Sequence, residues 1–80
     1  MKVKEVKLIG LDSLQYNILK RNLQEALDCL NLQVEISEVT DENNFADYKL
    51  RNLPALVVND KVLLEGVAPA TSQLELLLIL

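Results

Sequence analysis

Asn52-Leu53-Pro54-Ala55-Leu56-Val57-Val58-Asn59-Asp60-Lys61-Val62-Leu63-Leu64-Glu65-Gly66 is the stretch that decides the fold. It holds two short apolar runs, Ala55–Val58 and 61–64, separated by two polar residues. Both Asn59 and Asp60 accept the positive φ that a two-residue type I′ turn demands, so the pair predicts a β-hairpin. A proline cannot donate to a sheet ladder, and Pro54 stands where it is tolerated, just ahead of the first strand. Gly66 closes the second strand.

Upstream of the hairpin, strand and helix alternate. Val3, Val6, Leu8 and Ile9 predict a first strand that stops at Gly10. Asp12 and Ser13 offer N-cap oxygens, and Asp12 with Gln15 has capping-box spacing. A helix is predicted from about Leu14 to Leu30, because Leu19, Leu23, Ala26, Leu27 and Leu30 recur at helical spacing. Asn31 suits its end, since asparagine tolerates the left-handed conformation. Residues 33–39 alternate, with Val34 and Ile36 on one face and Glu35 and Ser37 on the other, which predicts a second strand. Thr40 and Asp41 are placed to cap a short helix over 42–48 that turns Phe45 and Tyr48 inward. Downstream of the hairpin, a last helix is expected to start between Pro69 and Ser72, with Ser72 and Glu75 at capping-box spacing, and to run to the end of the chain.

The resulting order is β-α-β-α-β-β-α. A strand, a crossover helix and a second strand imply a right-handed parallel βαβ unit, and the hairpin adds antiparallel strands. Eighty residues suit one domain with a small core. Twelve acidic residues against eight basic ones give a formal charge of −4, which argues against nucleic acid as a partner. Lys2, Lys4 and Lys7 are expected on or near an exposed strand, where lysine discourages edge pairing. The apolar run 76–80 falls far short of the ~20 residues of a membrane span, and the charged start Met-Lys-Val-Lys-Glu does not resemble a signal peptide. A cytoplasmic location and no membrane partner are therefore expected. One cysteine and no histidine allow neither an intrachain disulfide nor a zinc or iron–sulfur ligand set within one chain. No cofactor is expected.

Gly10, Leu53-Pro54-Ala55, Asn59-Asp60-Lys61 and Glu65-Gly66, in that order, resemble the small thioredoxin-like proteins known as redox-active disulfide proteins. The resemblance spans nearly the whole chain. It implies an α/β thioredoxin-like fold with a mixed four-stranded sheet and helices on both faces. It also implies a cis proline at Pro54 and, in the residue before it, a backbone that pairs with an extended substrate peptide.

The chain departs from those relatives at the redox motif. Alignment on Gly10 puts Ser13 at the attacking cysteine and Tyr16 at the resolving one. Thiol–disulfide exchange needs a thiolate, and a serine hydroxyl acts as a nucleophile only with a positioned base. Ser13 therefore reads as a helix cap, and Tyr16, on the apolar side of the helix, as an inward-facing ring. Cys29 falls at the other end of that helix, where the partial negative charge disfavours a thiolate. It reads as a small, semi-buried residue.

Two functions follow as expectations. One is a redox-inactive module that binds a protein or peptide at the Leu53-Pro54 edge, with Leu11, Leu14 and Leu53 around an apolar groove. Those leucines equally suit a simple cover for the sheet end. The other is an oxidoreductase-related protein using the lone Cys29 or acting with a partner. Leu76, Leu77, Leu78, Ile79 and Leu80 form a second candidate surface, for a second copy of the chain, with a frayed helix end as the alternative.

Overall fold

The computed structural model describes residues 2–79. Strands β1 (Val6–Ile9), β2 (Ile36–Val39), β3 (Ala55–Val58) and β4 (Lys61–Glu65) form one sheet in the order β2-β1-β3-β4. β1 runs parallel to β2, with Val6 opposite Ile36 and Ile9 opposite Val39. β1 and β3 are antiparallel, as are β3 and β4. The α-helices are α1 (Leu14–Cys29) and α2 (Thr71–Ile79), and residues Glu42–Tyr48 form a 3-10 helix. The order is the one expected. The middle helix is wound more tightly than an α-helix, starts at an Asp41 side chain that accepts from the Asn43 N–H, and ends on Lys49 at φ 52°.

Strand alternation divides the interior in two. Val6, Leu8, Leu56 and Val58 face α1 and α2, and pack with Tyr16, Leu19, Leu23, Ala26, Leu27, Leu74 and Leu78. Ile9, Ala55 and Val57 face the other way, against Val39, Phe45, Tyr48, Leu50 and Leu53. One face thus carries the two α-helices and the other carries the 3-10 helix. β3 is buried along its whole length because both faces are covered. Lys7 shares the second face: it pairs with Glu5 at 2.9 Å, and its ammonium lies 5.5 Å from the centre of the Tyr48 ring.

Several sequence expectations need correction. β1 lies inside the sheet between β2 and β3, so Lys7 does not guard an edge. The second strand is shorter than expected, Ile36–Val39. Ser72 does not cap α2. The first helical bond goes from the Leu74 N–H to the Ala70 carbonyl, and the Gln73 side chain accepts from the Ala70 N–H at 3.3 Å. Position 70, an alanine with no capping oxygen, therefore leaves the reciprocal glutamine as the side-chain contribution to the cap. Leu78 belongs to the core, being 1% exposed, and Leu77 packs partly against it. That burial removes Leu78 from any association surface and leaves Leu76 and Ile79 exposed at 58% and 54%. Leu80 lies outside the described residues.

Asn31 ends α1 as expected, at φ 55°. The Leu32 N–H bonds to the Leu27 carbonyl and the Asn31 N–H to the Asp28 carbonyl, which is a Schellman motif. Asn22, in contrast, went unpredicted among the buried positions. Its side-chain amide donates to the Pro69 carbonyl at 3.0 Å and so ties α1 to the segment that leads into α2.

Asn59 does more than turn the hairpin. Both it and Asp60 have positive φ, 51° and 67°. The Asn59 side chain accepts from the N–H groups of Lys4 and Glu5 at 2.9 and 3.1 Å and donates to the Lys2 carbonyl at 2.7 Å. The turn thereby clips the segment that enters β1. Asn59→Gly keeps the backbone conformation and removes the clip. We expect a loss of about 1 kcal/mol in denaturant unfolding, the scale of a few partly exposed hydrogen bonds, together with faster amide exchange at Lys4 and Glu5. Unchanged stability and exchange would show that the clip is dispensable.

Candidate functional site

The candidate site lies where the end of β1, the start of α1 and the approach to β3 meet. Gly10 marks the junction. A β-carbon built there would sit 2.9 Å from Tyr16 Cδ2 and 3.3 Å from both Cα and Cβ of Pro54. Glycine is needed for space, because Tyr16 and Pro54 close on it from two sides. The Leu53–Pro54 peptide is cis, and Pro54 is buried. The Pro54 carbonyl accepts from the Gly66 N–H at 2.7 Å, and Gly66 takes φ +73° close against Asn52. Pro54 is therefore fixed by the hairpin on one side and by Gly10 on the other.

Ser13 is the N-cap of α1. Its hydroxyl oxygen accepts from the Tyr16 N–H at 3.1 Å, which satisfies one of the free donors at the helix start. Asp12 does not form the capping box; its carboxylate accepts from the Asn17 side-chain amide at 3.1 Å. Tyr16 is 4% exposed. Its hydroxyl donates to Glu38 at 2.6 Å, and the other Glu38 oxygen pairs with Lys20 at 3.1 Å. Tyr16 and Lys20 are one helical turn apart, so both reach the same carboxylate. Sequence reasoning missed Glu38. A signal was present, because strand period places Glu38 on the same face as Val34 and Ile36, an acid in an apolar row.

The charges around this junction are arranged against an anion at Tyr16. Burial, the Glu38 carboxylate and, more weakly, Asp12 all push the phenol well above its ordinary value of 10.0. The hydrogen bonds from Tyr16 and Lys20 hold the Glu38 carboxyl below 4.5.

The remaining predicted residues are dispersed. Leu11 is 45% exposed and Leu14 77% exposed. Leu53 is half-buried and packs on the second cluster. It lines a pocket of about 460 Å³ with Phe45, Lys49, Leu50, Arg51 and Asn52, and neither Leu11 nor Leu14 lines it. Among the described residues, neither the N–H nor the C=O of Leu53 has a hydrogen-bond partner. Cys29 is exposed, contrary to the semi-buried position expected. Partial desolvation, then Glu75, and then Glu25 and Asp28 push its thiol up. It is the last residue of a 16-residue helix, so it lies roughly 24 Å from the cap at 1.5 Å per residue.

Residues 5–79 match the thioredoxin domain family. The chain belongs to that family. The match covers the sheet, all three helices and the Gly10–Tyr16–Pro54 junction. No curated protein shows significant similarity to the chain. Within this thioredoxin domain, a cap and a packed ring occupy the positions that alignment on Gly10 gives to the family's two cysteines.

Two predictions test the junction. Gly10→Ala should destabilise by about 2 kcal/mol, the scale of an overpacked core. Much of that cost should vanish in a Tyr16→Ala background, since the nearest clash is with the ring. A double-mutant cycle with no coupling would contradict this. The pair Tyr16–Glu38 sets the pH response. Glu38 has a lowered folded pKa, so its contribution is present in full above 4.5 and is lost as pH falls through the lower folded value. Tyr16 has a raised pKa, so its contribution is fully present below 10.0 and is lost as pH rises from there through the folded value. Tyr16→Phe should cost about 1 kcal/mol near neutral pH and flatten both limbs of stability against pH. Parallel curves for the variant and the wild type would rule the pair out as their source.

Proposed function

We propose that this thioredoxin domain is a redox-inactive binding module that takes an extended peptide or protein segment at the Leu53-Pro54 edge. The observation that carries the reading is the state of Ser13 and Tyr16. The Ser13 hydroxyl is engaged as a cap, and the Tyr16 side chain is engaged as a core ring bonded to Glu38. Neither supplies a thiolate, and Glu38 and Asp12 set a negative field where a redox member of the family needs to favour an anion. The lone Cys29 sits at the opposite end of α1 among Glu25, Asp28 and Glu75, which disfavour its thiolate. This chemistry argues against an oxidoreductase working through Cys29.

Support for binding comes from Leu53. A half-buried residue with a free N–H and C=O, next to a proline fixed in place, is ready to add a strand-like partner. The exposed Leu11 and Leu14, on the segment that follows Gly10, add apolar surface near the same junction. In this reading a cytoplasmic protein or peptide is the partner. A second copy of the chain meeting Leu76 and Ile79 is an additional mode of association. No helix among the described residues is long and apolar enough to cross a membrane.

A disulfide-reduction assay on insulin tests the redox half of the proposal. The wild-type chain is expected to match Cys29→Ser, with both at the rate of reductant alone. Faster turnover by the wild type than by Cys29→Ser would overturn the reading.

A further inference from the structure

The pocket beside Leu53 has a chemistry of its own. Phe45 and Leu50 give it an apolar wall, while Lys49 and Arg51 supply its charge. No acidic residue lines it, although the chain as a whole carries twelve acids against eight bases. Among the described residues, the Lys49 ammonium and the Arg51 guanidinium make no ion pair. The two ion pairs present are Lys7–Glu5 and Lys20–Glu38. The Glu65 carboxylate accepts from the Arg51 backbone N–H at 2.9 Å, and the Arg51 side chain is left uncommitted. Two free cations thus flank an apolar pocket whose rim includes Leu53, with its open backbone donor and acceptor.

We infer that this pocket selects among peptides: the ligand at Leu53 is an extended segment that pairs an apolar side chain with neighbouring carboxylates. The inference rests on the binding reading above and adds the ligand's charge. A chain bonded to the Leu53 backbone runs along the rim of the pocket. An apolar side chain enters against Phe45 and Leu50, and carboxylates beside it meet Lys49 and Arg51. Arginine is suited to this role because its planar fork matches a carboxylate. The net charge of the protein favours the opposite ligand, a basic one, so a preference for acid must come from the pocket itself.

The test uses the full 80-residue chain, labelled with ¹⁵N, and three capped hexapeptides. The acidic probe is acetyl-Leu-Val-Glu-Val-Glu-Leu-amide; the others replace both Glu by Gln or by Lys. Amide shifts are followed during titration at low salt and again in 0.5 M NaCl. The acidic peptide should move the Leu53, Phe45 and Leu50 amides and bind about tenfold more tightly than the Gln peptide. That gap should shrink in high salt, as expected for partly exposed charges. In Lys49→Gln/Arg51→Gln, the acidic peptide should fall to the affinity of the Gln peptide. The comparison of peptides on the wild-type chain stands even if that variant misfolds. Equal affinities for all three peptides, with shifts at Leu53, would overturn charge selection while leaving the binding reading intact. Tighter binding of the Lys peptide would also overturn it. No shift at Leu53 with any of the three would overturn both.

Discussion

The close approach of Tyr16 and Pro54 across Gly10 is the constraint on which the rest of the structure depends. It locks three pieces of chain that are far apart in sequence: the end of β1, the first turn of α1 and the entry to β3. A side chain at position 10 would push the helix start away from the proline. With glycine there, the Tyr16 ring can join the core on the helix-bearing face. The proline carbonyl is then free to hold Gly66, which aligns the hairpin. The same junction that organises the scaffold therefore also organises the candidate site.

In a redox thioredoxin domain, this corner must expose a thiolate beside the proline. Here the physical demands run the other way. A serine cap and a buried phenol both stabilise the resting fold, and the Glu38 carboxylate anchors the phenol by accepting a short hydrogen bond from its O–H. The surrounding acids make an anion at that place costly. Beside the proline, the polar backbone groups of Leu53 have no partner among the described residues. Those open groups border the pocket that Lys49 and Arg51 line.

Much of this was legible in the sequence where one residue type answers one local demand. Asn59-Asp60 announced the turn, Asn31 the end of α1, Asp41 the start of the 3-10 helix and the leucine spacing the inner face of α1. The family resemblance was legible too, through the ordered set of Gly10, Pro54 and Gly66. The features that were not legible depend on tertiary neighbours. The pairing of Tyr16 with Glu38 joins a helix to a strand 22 residues away. The Asn59 clip reaches back more than 50 residues to the N-terminal segment. Burial of Leu78 depends on which side of α2 meets α1, and the unbroken apolar run 76–79 gives no period from which to read that side. Leu11 and Leu14 were grouped with Leu53 because the family resemblance puts all three around the place where relatives have a redox centre. The pocket instead forms between Leu53 and the 3-10 helix, whose placement no local pattern specifies.

Residue-resolved amide exchange of the free chain tests the central claim most directly, that the corner is closed at Gly10, Tyr16 and Pro54 while the Leu53 edge stays open. Amides of the paired strands, such as Leu8, Leu56 and Val58, should be the slowest to exchange, and Tyr16, bonded to the Ser13 cap, should be protected as well. The Leu53 amide should exchange close to the rate of an unstructured chain. A Leu53 amide protected as strongly as the strand interior would contradict the account, because the edge proposed to take a partner would then already be satisfied within the molecule.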